Sequence, residues 1–423
     1  MIRKILSNFS ARMAGAVLNF FMLLLTTHFL GKSVRGEIVL IQIGINIIHL
    51  VSDLAGGPSL VYLVPRARLS RLLSVGSAWG IGSSVLVAFA MISYGAMPEN
   101  YTWQILVMGA LISLHSLNQN ILLGQERITA YNALLFAQGI VQTLVMTVCI
   151  IGLGQRGALP YIWCCIIGYG LCWITGLFLV WKGHREPKIE EKRNIFLLLF
   201  SNGFFTQMAS LAMLMSIRIN YYMLHKYMPD GDSSVGLYST AISLGEAILL
   251  FSASISAIIM SRVSNESDHR TARSTVLRLS KVSLGMTALG VCAFLVLPDG
   301  FYSWLLGKDF SPVKEIFTTI APGVIILSFA TVFSHYFSGS GLHYLNFISG
   351  AVAILCTFIV AGPLISDYGI PGAGWAASIS YGTLSLTVFF IFMLVGGNRK
   401  EEWKMLLPSS ADFSLKNYRQ NNF

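Results

Sequence analysis

A stripe of four polar side chains interrupts the apolar stretch between residues 38 and 63. Gln42, Asn46, His49 and Asp53 follow one another at steps of four, three and four residues. This spacing places all four on one face of a helix. Amides can hydrogen-bond a polar ligand, an imidazole exchanges a proton near neutral pH, and a carboxylate binds a proton or a cation. The stripe therefore predicts a face for ligand binding and ion coupling.

Two more charges, Arg218 and Glu246, lie within other apolar stretches. A charged side chain at the centre of a membrane helix costs about 2.5 to 3.5 kcal/mol on insertion scales, so both should face protein or water instead of lipid. Arginine suits phosphate because its planar fork binds two oxygens at once. We therefore predict Arg218 as a ligand-binding cation. We predict Asp53 and Glu246 as ion-coupling or gating carboxylates, or else as carboxylates paired structurally with arginine.

Three further residues join the predicted binding set. Arg12 and Asn19 lie on one face of the first apolar stretch, and His335 lies in a polar stripe near residue 330. Two of them have a plainer interpretation. Arg12, like Arg218, is close enough to a helix end to extend its charge to the lipid headgroups, and a lone histidine is commonly a hydrogen-bonded packing residue.

The composition determines which elements position these residues. With 54% hydrophobic and 11% charged residues, the chain is predicted to be an all-α polytopic membrane protein. Its apolar blocks predict twelve transmembrane helices, centred near residues 20, 50, 83, 112, 140, 170, 208, 248, 288, 325, 354 and 383. Most of the 29 lysines and arginines then fall on one side, which predicts both termini in the cytoplasm. The net charge of +10 is explained by these orientation signals and by contacts with membrane lipids, with no nucleic acid required.

A charged segment divides the twelve helices into six and six. We predict an N-terminal lobe at 1–181, a cytoplasmic linker at 182–194, a C-terminal lobe at 195–396 and a cytoplasmic tail at 397–423. Ser7-Asn8 and Gly36 have counterparts at Ser201-Asn202 and Gly236, which indicates parallel repeats around a central cavity. Gly56-Gly57-Pro58, directly after Asp53, predicts a break in the helix.

The sequence favours a transporter over an enzyme. It contains no nucleophile-base pair, no paired carboxylates and no glycine-rich phosphate loop. The six cysteines all lie in apolar segments without metal-ligand spacing. We therefore expect no metal site, no catalytic residue and no cofactor, apart from a coupling ion that is either H⁺ or Na⁺.

Three stretches resemble a known family. Val235-Gly-Leu-Tyr-Ser-Thr-Ala-Ile-Ser-Leu-Gly-Glu246 with Ser261-Arg-Val-Ser264, Asp53-Leu-Ala-Gly-Gly-Pro-Ser-Leu-Val-Tyr-Leu63, and Tyr368-Gly-Ile-Pro-Gly-Ala-Gly-Trp-Ala-Ala377 are similar to helices eight, two and twelve of Wzx-type polysaccharide flippases. These belong to the MATE-like multidrug, oligosaccharidyl-lipid and polysaccharide flippase superfamily. Such families often place an acidic residue after the arginine of helix seven, whereas this chain has Arg218-Ile-Asn220.

The resemblance implies a MATE-like fold in the bacterial inner membrane. The implied function is translocation of undecaprenyl-diphosphate-linked O-antigen, capsule or exopolysaccharide repeat units to the periplasmic leaflet by alternating access. The membrane potential or an ion gradient would drive it, and the partners would include a polysaccharide polymerase and a chain-length regulator. A MATE-like multidrug or cation antiporter is the alternative, and a membrane polymerase or ligase acting on lipid-linked glycan is a weaker one.

Overall fold

The computed structural model describes residues 2–183, 194–265 and 269–395, and it contains no strand in that part of the chain. The predicted all-α membrane fold is confirmed. The helices are α1 (Ile2–Ser52), α2 (Gly57–Leu63), α3 (Leu69–Ser93), α4 (Thr102–Gly124), α5 (Ile128–Thr147), α6 (Leu159–Lys182), α7 (Ile195–Tyr227), α8 (Gly231–Asn265), α9 (His269–Val296), α10 (Asp299–Leu306), α11 (Val313–Gly339) and α12 (His343–Leu394).

Two of these helices are each long enough to cross a bilayer twice. α1 has 51 residues and α12 has 52, whereas one crossing needs about 20. Each breaks at a glycine with positive φ, Gly31 at 80° and Gly369 at 61°, a conformation that glycine adopts without steric cost. Within the described residues, nine helices are long and apolar enough to span a membrane, and α7 is a tenth with a 46° bend. With α1 and α12 counted as two spans each, the total is the predicted twelve.

The chain folds into two compact units that exchange short segments. The first comprises Met1–Leu211, Asp230–Gly236 and Leu305–Phe310, and the second comprises Ala212–Pro229, Leu237–Trp304 and Ser311–Phe423. The chain passes from one unit to the other within α7. Nearly all of the predicted linker at 182–194, and the whole tail at 397–423, lie outside the described residues.

The core of the first unit explains which way the second half of α1 faces. Ile41, Ile45 and Ile48 are buried in one apolar cluster with residues of α4, α5 and α6. Their i, i+4, i+7 spacing makes them one helical face. Apolar burial of this kind contributes about 25 cal/mol per Å² and orients the helix. The polar stripe is consequently left on the face that the core does not cover.

The start of α8 crosses α1 within the first unit at a backbone-to-backbone contact. A Cβ atom built on Gly36 would lie 1.8 Å from the carbonyl oxygen of Asp232, and one built on Gly236 would lie 1.9 Å from that of Lys32. Only glycine fits at either position. The two glycines that suggested a repeat in the sequence therefore contact each other's helices.

The capping of α8 adds to this crossing. Ser233 donates its backbone N–H to the Asp230 carboxylate at 3.3 Å, and the Ser234 hydroxyl donates to the Asp230 carbonyl at 2.8 Å. The hydrogen bond from Ser233 lowers the pKa of Asp230 below its usual range. A charged carboxylate at this end also interacts favourably with the helix dipole.

In the second unit, a serine of α12 repairs the backbone of α11. Pro322 lies inside α11 and has no N–H to donate. At the next residue, the Gly323 N–H donates to the Ser378 hydroxyl at 3.1 Å, and that hydroxyl donates to the Thr319 carbonyl at 2.7 Å. The hydroxyl thus bridges a donor and an acceptor that would otherwise form one helical hydrogen bond, and this ties α12 to α11.

The glycine crossing gives the first testable prediction. Gly36→Ala should lower the apparent melting temperature of the detergent-solubilised protein, because the new methyl group meets backbone that only a shift of a whole helix can move. Overpacking of this kind costs about 1–3 kcal/mol. The matched control is Gly82→Ala in α3, where a Cβ atom meets nothing within 4 Å. An equal melting temperature for the two variants would contradict the crossing.

Candidate functional site

The first candidate site is built where α1 ends. After Ser52 the chain forms one 3-10 turn at Asp53–Ala55, and α2 begins at Gly57. Gly57 has φ +46°, in the left-handed region. The predicted break after Asp53 is confirmed, and it places the carboxylate at the junction of two helical segments.

Two donors bond to the Asp53 carboxylate, and an imidazole lies beside it. The Ser116 hydroxyl of α4 donates to Oδ1 at 3.0 Å, and Nδ1 of His49 lies 3.5 Å from Oδ2. The backbone N–H of Gly57 also hydrogen-bonds the carboxylate. The Asp53 side chain is 14% exposed and that of His49 is 34% exposed. The carboxylate and the neighbouring imidazole are both groups that can bind a proton.

Helices of the first unit hold this turn on several sides. Trp79 of α3 donates its indole N–H to the Ser52 carbonyl at 3.0 Å. α7 lies against the turn, since a Cβ atom on Gly203 would lie 2.6 Å from the Leu54 carbonyl oxygen. Gly203 lies between the two straight segments of α7, Ile195–Ser201 and Thr206–Tyr227. The break between α1 and α2 and the bend in α7 are therefore in direct contact.

Of the other predicted residues of the first unit, Gln42 and Asn46 follow the same face as His49 and Asp53, whereas Asn19 lies in the other half of α1, before the break at Gly31. Asn46 is half-buried, whereas Gln42 and Asn19 are exposed. Of this set the structure brings His49 and Asp53 together, and it leaves the amides available on the uncovered face of the unit. The side chain of Arg12 lies outside the described part of the chain.

α4 divides its polar residues between two environments, which the sequence alone did not separate. Asn120 donates to the Ser116 hydroxyl at 3.2 Å and so supports the contact with Asp53. His115 instead bonds to Gln138 of α5 at 2.9 Å, and Asn118 donates to the Trp173 carbonyl of α6 at 2.9 Å. The four-residue step from Ser116 to Asn120 was the available signal.

The second candidate site lies in the second unit and pairs the two remaining predicted charges. Nη2 of Arg218 donates to the Glu246 carboxylate, and Nη1 donates to the Tyr221 hydroxyl at 2.6 Å. The Arg218 side chain is 21% exposed, whereas that of Glu246 is 45% exposed. The guanidinium is therefore the more deeply held partner, and the carboxylate is the more solvated one.

A cluster of tyrosines packs around Arg218, and sequence reasoning missed it. Tyr221, Tyr238 and Tyr381 are all buried, and the rings of Tyr221 and Tyr238 lie 5.0 Å apart edge to face. The Arg218 guanidinium lies 5.3 Å from the Tyr221 ring, close enough for a cation–π interaction. The i, i+3 step from Arg218 to Tyr221 was a signal in the sequence, but the contributions from α8 and α12 were not readable there.

His335 takes a different position in the second unit. Its Nδ1 donates to the Thr331 carbonyl one turn earlier in α11 at 2.8 Å, and its side chain is half-buried. This is the packing role open to a lone histidine, and a part in ligand binding stays a prediction.

Neither site has the donors of a metal centre. Among the residues that the structure describes, no group of three or more histidine, cysteine, aspartate and glutamate side chains could hold a metal ion. The chemistry available to the two sites is proton exchange at Asp53 and His49 and anion binding at Arg218.

Solved structures with the same fold are transporters. An inward-facing MATE family multidrug resistance transporter of the MOP superfamily matches with TM-score 0.71 and 13% identity, over 95% of this chain and 99% of that one. The lipid II flippase MurJ in an inward closed conformation matches with TM-score 0.69 and 15% identity, over 100% of this chain and 93% of that one. A MOP superfamily transporter from Pyrococcus furiosus, described as having a binding pocket of reverse polarity, matches with TM-score 0.65 and 12% identity, over 96% of each chain. No protein-family model matches the chain, and no curated protein matches its sequence. At these identities the comparison establishes a fold shared with MATE transporters and MurJ.

The turn after Asp53 gives the second prediction. Gly57→Ala should destabilise the protein for two reasons. A positive φ costs a non-glycine residue about 1–2 kcal/mol, and the added Cβ atom would lie 2.7 Å from Nε2 of Gln207. Gly95→Ala is the matched control, because Gly95 has φ +68° and nothing within 4 Å of its Cβ position. Thermal unfolding should show a larger loss for Gly57→Ala, and equal losses would contradict the contact with Gln207.

Proposed function

We propose that this protein is a lipid-linked oligosaccharide flippase of the bacterial inner membrane. Its substrate would be an undecaprenyl-diphosphate-linked polysaccharide repeat unit, moved from the cytoplasmic to the periplasmic leaflet by alternating access, with both termini of the chain in the cytoplasm. The observation that carries the proposal is Arg218, a cation within a membrane-spanning helix whose Nη2 edge faces a half-exposed carboxylate. The fold shared with MurJ, a lipid II flippase, supports the same substrate class.

The chemistry of the head group fits the residues present. A guanidinium binds phosphate oxygens through parallel N–H donors and keeps its charge at any working pH. The polar stripe in the second half of α1, with Gln42, Asn46 and His49, and the exposed Asn19 in its first half offer amide and imidazole groups to sugar hydroxyls. Arg12 and His335 complete the proposed binding set. The polyprenyl tail would stay in contact with membrane lipids throughout the movement.

The membrane potential supplies part of the driving force. Two diphosphate charges leaving a negative interior gain about 4.6 kcal/mol per 100 mV. We further propose that Asp53 couples transport to protons, with H⁺ as the coupling ion in place of Na⁺. The hydroxyl and amide around its carboxylate are donors, whereas a sodium ion would need oxygen atoms turned towards it as acceptors.

The main alternative is a multidrug or cation antiporter, as in the MATE structures that share the fold. A cationic drug needs a carboxylate that is free to pair with it. In this protein Glu246 pairs with Arg218, and Asp53 is only 14% exposed. The charge arrangement therefore favours an anionic substrate, and a glycan polymerase or ligase is less consistent with a transporter fold. In the cell the flipped glycan would pass to a polysaccharide polymerase and a chain-length regulator.

Leaflet sidedness of the lipid-linked oligosaccharide tests the proposal directly. Cells that lack this protein should accumulate the glycan on the cytoplasmic leaflet, where added glycosidases cannot reach it, and the wild-type protein should clear it. Asp53→Asn should slow clearance by about tenfold, a change in barrier of about 1.4 kcal/mol. Asp367→Asn, a change at an exposed carboxylate, is the control and should clear normally. Unchanged sidedness in the deletion strain would refute the flippase assignment.

Imposed ion gradients test the coupling role of Asp53. In proteoliposomes loaded with substrate, a pH gradient should raise the wild-type flux, whereas an equal Na⁺ gradient should leave it unchanged. Asp53→Asn should lose the response to the pH gradient, because an amide cannot exchange the proton. Retention of the full pH response by Asp53→Asn would remove this residue from the coupling step without affecting the assignment of the substrate.

A further inference from the structure

The Arg218–Glu246 pair has one firmly held partner and one exposed partner. Arg218 is anchored through Nη1 to Tyr221, a buried side chain within the tyrosine cluster. Its helix is fixed close by, because the Ser380 hydroxyl of α12 donates to the Ser216 carbonyl at 3.1 Å and the Thr357 hydroxyl donates to Ser380 at 2.7 Å. Glu246 is 45% exposed. If the pair separates, the carboxylate is therefore the side that moves.

The contact between Arg218 and Glu246 also determines how an anion can reach the guanidinium. Nη1 is engaged by Tyr221 and Nη2 by Glu246, so a phosphoryl oxygen that approaches the exposed edge meets a carboxylate of like charge. Like charges at this separation repel, and a bidentate phosphate contact at this edge would use the Nη2 donor that the carboxylate occupies. Glu246 must leave before an anion can take its place.

We propose that Glu246 is an internal competitor for the phosphate site on Arg218. Its carboxylate holds the position of a substrate phosphoryl oxygen, and the diphosphate binds Arg218 by displacing it. This inference rests on the proposed flippase function, because it takes a prenyl diphosphate as the ligand. It assigns Glu246 a role in the release of substrate, since return of the carboxylate to Arg218 expels the diphosphate.

Loss of the negative charge at position 246 would favour loading. The described titratable groups that face Arg218 are Glu246 of α8, Tyr221 of α7, Tyr238 of α8 and Tyr381 of α12. Tyrosines are neutral at working pH, so the carboxylate is the one competing negative charge among these groups. A glutamine at this position keeps nearly the same shape but carries no charge, so it no longer competes for the guanidinium.

Binding of farnesyl diphosphate to the full-length protein in nanodiscs tests the competition. At pH 8, Glu246→Gln should bind this probe about tenfold more tightly than the wild type, because the amide carries no charge to compete with the phosphate. Asp367→Asn removes one negative charge from an exposed position in the same unit and should stay within about twofold of the wild type.

The outcomes separate this inference from the flippase proposal. If the wild type binds the probe but Glu246→Gln binds it with the same affinity as the wild type, the competitor role is overturned and the substrate class stands. If no variant binds a prenyl diphosphate, both fall. Arg218→Gln should bind at least about tenfold more weakly than the wild type, and normal affinity in that variant would also overturn the inference. Glu246→Asp, whose shorter side chain reaches Arg218 less well, serves if Glu246→Gln does not fold and should also bind more tightly than the wild type.

Discussion

A chain that crosses a bilayer must satisfy its backbone hydrogen bonds internally, and this constraint determines where the helices of this protein can break. At two of these places a neighbouring helix supplies the missing hydrogen bonds. Trp79 donates to the Ser52 carbonyl at the end of α1, and Ser378 bridges the gap beside Pro322 in α11. The break after Asp53 is therefore a built feature with its own partners, and it brings a carboxylate, a backbone N–H and a hydroxyl together.

Charged side chains within the membrane impose a second constraint, because each needs a partner or a solvent contact. The two units satisfy this constraint in different ways. The Asp53 carboxylate is bonded by a neutral hydroxyl and a neutral backbone N–H, so its charge can change without leaving a fixed cation unpaired. Arg218 keeps its charge and needs a counter-charge or an anion at all times. Removal of one partner from a buried ion pair costs about 3–5 kcal/mol, although the exposure of Glu246 reduces that figure here. Loss of Glu246 leaves a firmly held cation without its partner, whereas loss of Arg218 leaves only a half-exposed carboxylate. The two substitutions therefore perturb the same contact in different ways.

The sequence predicted what depends on local periodicity. The stripe from Gln42 to Asp53, the break at Gly56-Gly57 and the twelve spans all follow from the helical repeat and from apolar length, and the structure has the break and the spans. The pairing of Arg218 with Glu246 joins residues 28 positions apart, and spacing carries no information at that range. Gly36 and Gly236 show the same limit. Their likeness suggested equivalent places in a repeat, whereas their direct contact depends on how α1 and α8 cross.

The Arg218–Glu246 pair in the second unit shows most clearly that the fold alone does not determine the function. A fold shared at 12–15% identity with multidrug transporters and with a lipid flippase leaves the sign of the bound charge open, because the scaffold supports either. The sign is decided by a few side chains. An isolated carboxylate at position 246 would attract cations, but Arg218 neutralises it and the tyrosine cluster keeps the guanidinium in place. Under the proposed displacement of the carboxylate, the charge that remains fixed is positive, and the ligand that would restore neutrality is an anion.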